Sequence, residues 1–198
     1  MSNPTPTPPA LLSRKLSSIF REFLRNRNGA SAIEFVLVFP IMVVLLAGTV
    51  DLGQALLVSR KMNQIAATVG DMVSQKATWK DDDVNAIIAG AATIIEPFDT
   101  RDLTIQLAIV DIDSDLVASV DWAEAYNSVA LSKGAPSPVV IPPEIASAGV
   151  QLIAVNATYR LTTPFSGLLQ IITGIDSYHY SKNYIMRPRI QDSVALKT

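Results

Sequence analysis

The side chains that could do chemistry in this 198-residue chain are few, and the most unusual of them is Glu34. His179 is the single histidine and there is no cysteine, which removes disulfides, thiolate chemistry and most metal or nucleophile–base arrangements. Glu34 stands at the start of an apolar run, because no ionisable side chain occurs from Phe35 to Val50. A carboxylate costs about 2.5–3.5 kcal/mol at mid-membrane and less near an interface. Such a group needs a partner of opposite charge.

The element that must position Glu34 is a helix over residues 30–50. At about 1.5 Å per residue this segment is long enough to cross a hydrocarbon core of roughly 30 Å. Five basic residues and one acidic residue among positions 1–29 give a net charge of +4, whereas 11 basic and 16 acidic residues among positions 51–198 give −5. The positive-inside rule therefore predicts a single-pass membrane protein whose N-terminus stays in the cytoplasm and whose C-terminal part lies across the membrane. The acidic C-terminal part argues against nucleic-acid binding, since it would repel phosphates.

The basic leader, residues 1–29, has two parts before the apolar run. Residues 1–10 include four prolines and are typical of a disordered tail. Residues 11–24 form a cationic, amphipathic pattern, which either lies on the inner leaflet or has no fixed structure before the leader is removed. An ordinary secretory signal peptide fits poorly, because the basic part is too long and no good small-x-small cleavage site follows.

The spacing of Gly29, Ala30 and Glu34 resembles a known processing site. Prepilin peptidases cut after a glycine that ends a basic leader and precedes an apolar helix with glutamate as its fifth residue. The resemblance implies a new α-amino group at Ala30, one helical turn from Glu34 at i and i+4. Together with Pro40 and the later Asp51-Leu52-Gly53, the pattern resembles the TadE/TadG-like family, the minor pilins and pseudopilins of tight-adherence, Flp-type pili. The resemblance covers residues 25–75.

The resemblance implies a structural, non-catalytic role in pilus assembly and surface adhesion, without a cofactor. Glu34 would dock the subunit by meeting the amine of a neighbour, and Pro40 would bend or loosen the membrane helix. The implied partners are the prepilin peptidase, other pilin and pseudopilin subunits, the inner membrane and the pilus assembly platform. In the alternative, the chain is a plain signal anchor whose Glu34 reaches the headgroups. Two other functions stay open: an uncleaved assembly scaffold of the inner membrane, and a membrane-anchored periplasmic enzyme.

Downstream periodicity predicts an α+β fold. The membrane helix should continue to about residue 78, and a periplasmic domain should occupy residues 79–198. Asp81 is expected to cap the next helix, which Pro97 closes. An antiparallel sheet of about four strands should pack on these helices. The predicted elements are a helix over 81–95 and strands over 103–110, 116–122, 151–161 and 178–186.

Four stretches of the predicted domain allow more than one interpretation. The Asp111–Asp115 run has the D-x-D-x-D spacing of a calcium loop, but Leu116 and Trp122 stand where an EF-hand needs Gly and Glu, which favours a polar hairpin turn. Residues 123–143 are rich in proline and are expected to be an exposed connection. Residues 165–172 form a short apolar segment, either a covering turn or helix or a dip into the membrane. His179 is expected on the surface of its strand or packed there.

Overall fold

The computed structural model describes residues 28–197, apart from the side chains of Asn28, Ala30 and Ile172. The leader and its amphipathic segment, up to residue 27, lie outside the described residues. The chain divides into two compact units, one ending at Gly48 and the other running from Thr49 to the C-terminus. Both units contain part of one long helix.

That helix, α1, spans Asn28–Val73 and continues through Pro40 without a break. It ends about five residues before the predicted position. The indole Nε1 of Trp79 donates a hydrogen bond to the carbonyl of Val73 at 2.9 Å, and Thr78 already begins a short strand. Because an indole satisfies one of the last helical carbonyls, the helix stops there with a capped end.

The second unit has the predicted α+β fold with a four-stranded antiparallel sheet. The strand order is β3 (Ala118–Tyr126), β2 (Leu103–Ile112), β4 (Gln151–Leu161), β5 (Tyr178–Met186). Strands β2 and β4 are therefore central, and Leu107 lies opposite both Val155 and Glu124. Asp113 forms the β2–β3 hairpin turn, since its Oδ1 accepts from the backbone N–H groups of Asp115 and Val117 at 2.9 and 2.8 Å. The elements of this unit after α1 are β1 Thr78–Lys80, α2 Asp81–Ala92, β2 Leu103–Ile112, β3 Ala118–Tyr126, β4 Gln151–Leu161, α3 Ser166–Thr173, β5 Tyr178–Met186 and β6 Ala195–Lys197.

The sheet is covered on both faces. On one face, apolar residues of α1 such as Met62 and Ile65 pack with α2 against the odd-numbered positions of β2, forming the larger core. On the other face, Val139 and its neighbours in the β3–β4 connection cover Ala108, Val110 and Val120. Most of the connection is exposed, as expected, but Val139 is buried, and residues 123–126 belong to strand Ala118–Tyr126 instead of the connection. Because the middle of β2 is apolar on both faces, each face needs a cover, and this connection supplies the second one.

The start of α2 differs from the prediction. Lys80, not Asp81, occupies the N-cap position, and no side chain caps the helix there. Lys80 is extended because it ends β1, so Asp81 becomes the first helical residue and its Oδ1 is buried without a hydrogen-bond partner. The three aspartates of the first turn still lie at the positive end of the helix dipole, which favours them.

One pair of strands was missed by sequence reasoning. β1 pairs in parallel with β6, with Trp79 opposite Leu196. These strands have three residues each, too few for an alternating pattern to be recognised. The pairing brings the end of the chain back to the turn between α1 and α2.

Candidate functional site

Glu34 lies on the second turn of α1 and is exposed. Its neighbours in the chain, Ile33 and Phe35, are 64% and 61% exposed. None of the residues that the structure describes forms a hydrogen bond or ion pair with its carboxylate. Within residues 28–197, the carboxylate therefore lies on an apolar helix and has no paired cation.

The other residues predicted for processing lie on the same part of α1. Gly29 is exposed, and a Cβ added there would meet no atom within 4 Å. Ala30 is helical and stands four residues before Glu34, so the two residues share one face of the helix. Pro40 follows Glu34 by six residues within the same helix. The bond that a peptidase would cut after Gly29 thus joins two helical residues with open space around the glycine.

The first unit exposes apolar side chains around its whole helix. The large apolar residues from Ile33 to Leu46 that remain in contact with solvent are 50–67% exposed. In the described part of the chain, α1 is the one helix long and apolar enough to cross a membrane. A helix that is apolar on all sides is stable only in lipid or among other apolar helices.

A second carboxylate, Asp51, was not singled out as a site by sequence reasoning. It is 1% exposed, its Oδ2 accepts a hydrogen bond from Thr163 Oγ1 at 2.5 Å, and its Oδ1 has no partner. Its position directly after the apolar run was the available signal. The contact with Thr163 joins positions 112 residues apart and could not be read from the sequence.

Several polar contacts fix the second half of α1 to the sheet and its connections. Tyr180 donates its hydroxyl hydrogen to the carbonyl of Ala55 at 2.9 Å, and Lys61 Nζ donates to the carbonyl of Ile94 at 2.7 Å. Further along, the Arg189 guanidinium forms an ion pair with Asp71. From Thr49 onward, α1 is therefore part of the packed second unit.

In the described part of the chain, the single histidine and the acidic side chain of Asp113 do not form a catalytic arrangement. His179 is exposed on β5 and lies opposite Arg160 of β4, while Asp113 is used in the hairpin turn. Burial raises the pKa of Glu124, and the nearby Asp81 raises it further. Within residues 28–197, no cluster of three or more His, Cys, Asp or Glu side chains could hold a metal ion.

The fold and the apolar first half of α1 define a class of protein. In this class, an N-terminal helix that is able to span a membrane continues into an α+β unit. Residues 29–70 match the model of a protein family described as TadE-like protein. The resemblance to the TadE/TadG-like family is thereby confirmed over this segment, and it indicates a part in Tad pilus assembly. That family is structural and pilus-associated, and it is not known for enzymes. Neither a curated protein nor a solved structure matches the chain.

Proposed function

We propose that this protein is a minor pilin or pseudopilin of a tight-adherence pilus, inserted with its N-terminus in the cytoplasm and its α+β unit in the periplasm. The observation that carries the proposal is the exposed carboxylate of Glu34, which has no cation in the described part of its own chain. The match of residues 29–70 to the TadE-like family supports the pilus context.

The chemistry of docking follows from the spacing. Cleavage after Gly29 would create an ammonium group at Ala30, one helical turn from Glu34. In an apolar environment, a carboxylate and an ammonium group from two chains stabilise each other only when they meet in register. The pairing therefore offsets the cost of the buried charge and sets the axial position of the arriving subunit. The remaining exposed apolar side chains of the first unit would pack against neighbouring helices.

Mass spectrometry of the extracted protein tests the proposed cleavage after Gly29. Protein extracted from membranes of cells that contain the prepilin peptidase should begin at Ala30, whereas cells without the peptidase should give the full leader. Gly48→Ala changes a helical glycine away from the predicted cleavage position, with open space around it, and should leave cleavage unchanged. An intact leader in the presence of the peptidase would contradict the processing step.

Entry into the fibre is tested by shearing. The protein should separate with sheared pili if it is a pilus subunit. Full retention in the membrane fraction, with an intact leader, would favour the uncleaved assembly scaffold instead.

A further inference from the structure

An exposed apolar segment of the second unit is not used by the proposed function. It comprises residues 164–175, here the α3 segment, and contains helix α3. No ionisable side chain occurs from Leu161 to Ile175. Its exposed large apolar side chains are Phe165, Leu168, Ile171 and Ile175. Ile171 is 83% exposed and Ile175 is 47% exposed, whereas Phe165 and Leu168 are 37% and 39% exposed, so packing within the second unit covers the segment only in part.

The α3 segment begins next to the buried carboxylate. Thr163, which donates to Asp51 at 2.5 Å, directly precedes Pro164 and the first turn of the segment. Asp51 is itself the first ionisable residue after the apolar run of α1. The hydrogen bond therefore holds the start of the α3 segment beside the position in α1 where the apolar run ends.

A count along α1 gives the depth of that level. If the hydrocarbon core begins near Phe35, about 20 helical residues fill its roughly 30 Å, which puts the far boundary near Gln54. Asp51 then lies within one turn of this boundary, on the hydrocarbon side. Beyond it, Leu52 and Leu56 are each still 60% exposed, and the first basic residue is Arg60. Exposed apolar side chains therefore continue beyond Asp51 within the second unit.

The burial of Asp51 has a physical reason at this depth. A carboxylate facing lipid would be costly, so it must be covered by protein and hydrogen-bonded. Thr163 provides the hydrogen bond, and the chain that carries Thr163 continues as an uncharged segment with outward apolar side chains. Such a segment is unfavourable in water but favourable at the boundary between acyl chains and headgroups. Twelve residues are too few to span the bilayer and suit an interfacial position.

We propose that the α3 segment is a second membrane contact. Its apolar side chains Phe165, Leu168, Ile171 and Ile175 insert in the leaflet on the side of the second unit, and the Thr163–Asp51 hydrogen bond holds the segment at that depth. The occupant of this surface is the lipid bilayer. The inference rests on the proposed function only in that α1 crosses the membrane. It implies that the second unit must leave the lipid surface when the subunit enters a fibre.

The absence of native cysteine allows a direct test. The full chain with Ile171→Cys is labelled with an environment-sensitive fluorophore and reconstituted in phosphatidylcholine vesicles, with or without nitroxide-labelled lipid. The expected result is blue-shifted emission, strong quenching by the nitroxide lipid and several-fold weaker quenching by aqueous iodide than at an exposed site. Leu46→Cys in α1 is the lipid-facing control, and Val140→Cys, at a position 90% exposed in the β3–β4 connection, is the aqueous control.

The two controls separate the possible failures. If the label at position 171 behaves like the one at 140 while the label at 46 reports lipid, the inference is overturned and the membrane anchor stands. If position 171 is protected from iodide but is not quenched by nitroxide lipid, protein covers it and the inference is again overturned. If the label at position 46 is also aqueous, the anchor and the proposed function fail together.

Discussion

The packing of α1 on the sheet predicts that Gly70→Ala destabilises the second unit. A Cβ added at Gly70 would lie 2.9 Å from Cδ1 of Tyr184, 3.2 Å from its Cε1 and 3.3 Å from Sδ of Met186. The Tyr184 ring on β5 is partly buried against the larger core, so it must shift from that packed position to admit the Cβ. Overpacking of this kind costs about 1–3 kcal/mol, while replacing a helical glycine by alanine gains about 1 kcal/mol. The expected net loss is about 1 kcal/mol.

Gly90→Ala in α2 is the matched control. A Cβ at Gly90 meets no atom within 4 Å, so only the helical gain of about 0.5–1 kcal/mol remains. The two variants therefore make the same chemical change with opposite expected signs. In a unit of this size, 1 kcal/mol corresponds to about 2–4 °C in Tm.

Tryptophan fluorescence of the full chain in detergent micelles measures both variants. Both tryptophans, Trp79 and Trp122, lie in the second unit, so the signal follows the unfolding of that unit. Gly70→Ala should melt about 3 °C below the unchanged chain, and Gly90→Ala about 2 °C above it. If Gly70→Ala melted at or above Gly90→Ala, the close packing of α1 on β5 would be refuted.

Two further predictions concern charged groups of the second unit. Thr163→Val leaves the buried Asp51 carboxylate without its hydrogen bond and should lower the free energy of unfolding by about 1.5–3 kcal/mol, whereas Thr162→Val at the exposed neighbouring position should change it by less than about 0.5 kcal/mol. Equal effects of the two threonine changes in denaturant titrations would contradict the role of that hydrogen bond. Burial and the nearby Asp81 raise the pKa of Glu124 in the folded chain. At a pH above the ordinary pKa of glutamate, ionisation of Glu124 therefore lowers the free energy of unfolding. Glu124→Gln should therefore raise Tm at neutral pH, and the gain should vanish below about pH 4.3; a gain independent of pH would contradict this reasoning.

Local patterns predicted much of this fold. The strands predicted over residues 151–161 and 178–186 are β4 and β5, and both have the predicted bounds. They could be predicted because alternation and apolar runs are local signals. The helix predicted over 81–95 appears as α2 followed by a 3-10 turn that ends at Ile95. Asp81 failed as a cap because β1 sets the backbone of Lys80, and that strand forms only when the distant β6 pairs with it.

In the candidate site too, local patterns could be recognised from the sequence, whereas contacts between distant residues could not. Glu34 and Gly29 could be recognised because their meaning lies in spacing along one helix. The environment of Asp51 depends on Thr163, which is brought to it by the fold of the second unit. No periodicity or motif in the sequence indicates such a contact, so the burial of Asp51 and the position of the α3 segment are visible only in the folded chain.

The amount of a Glu34→Gln variant in sheared filaments tests the central claim most directly. Glutamine keeps the size of the side chain and removes the charge that a neighbour's amine would meet. We expect the variant to be inserted and cleaved after Gly29, as its mass would show, but to be lost from sheared filaments. Filaments that contain the variant in the same amount as the unchanged protein would contradict the docking role of Glu34.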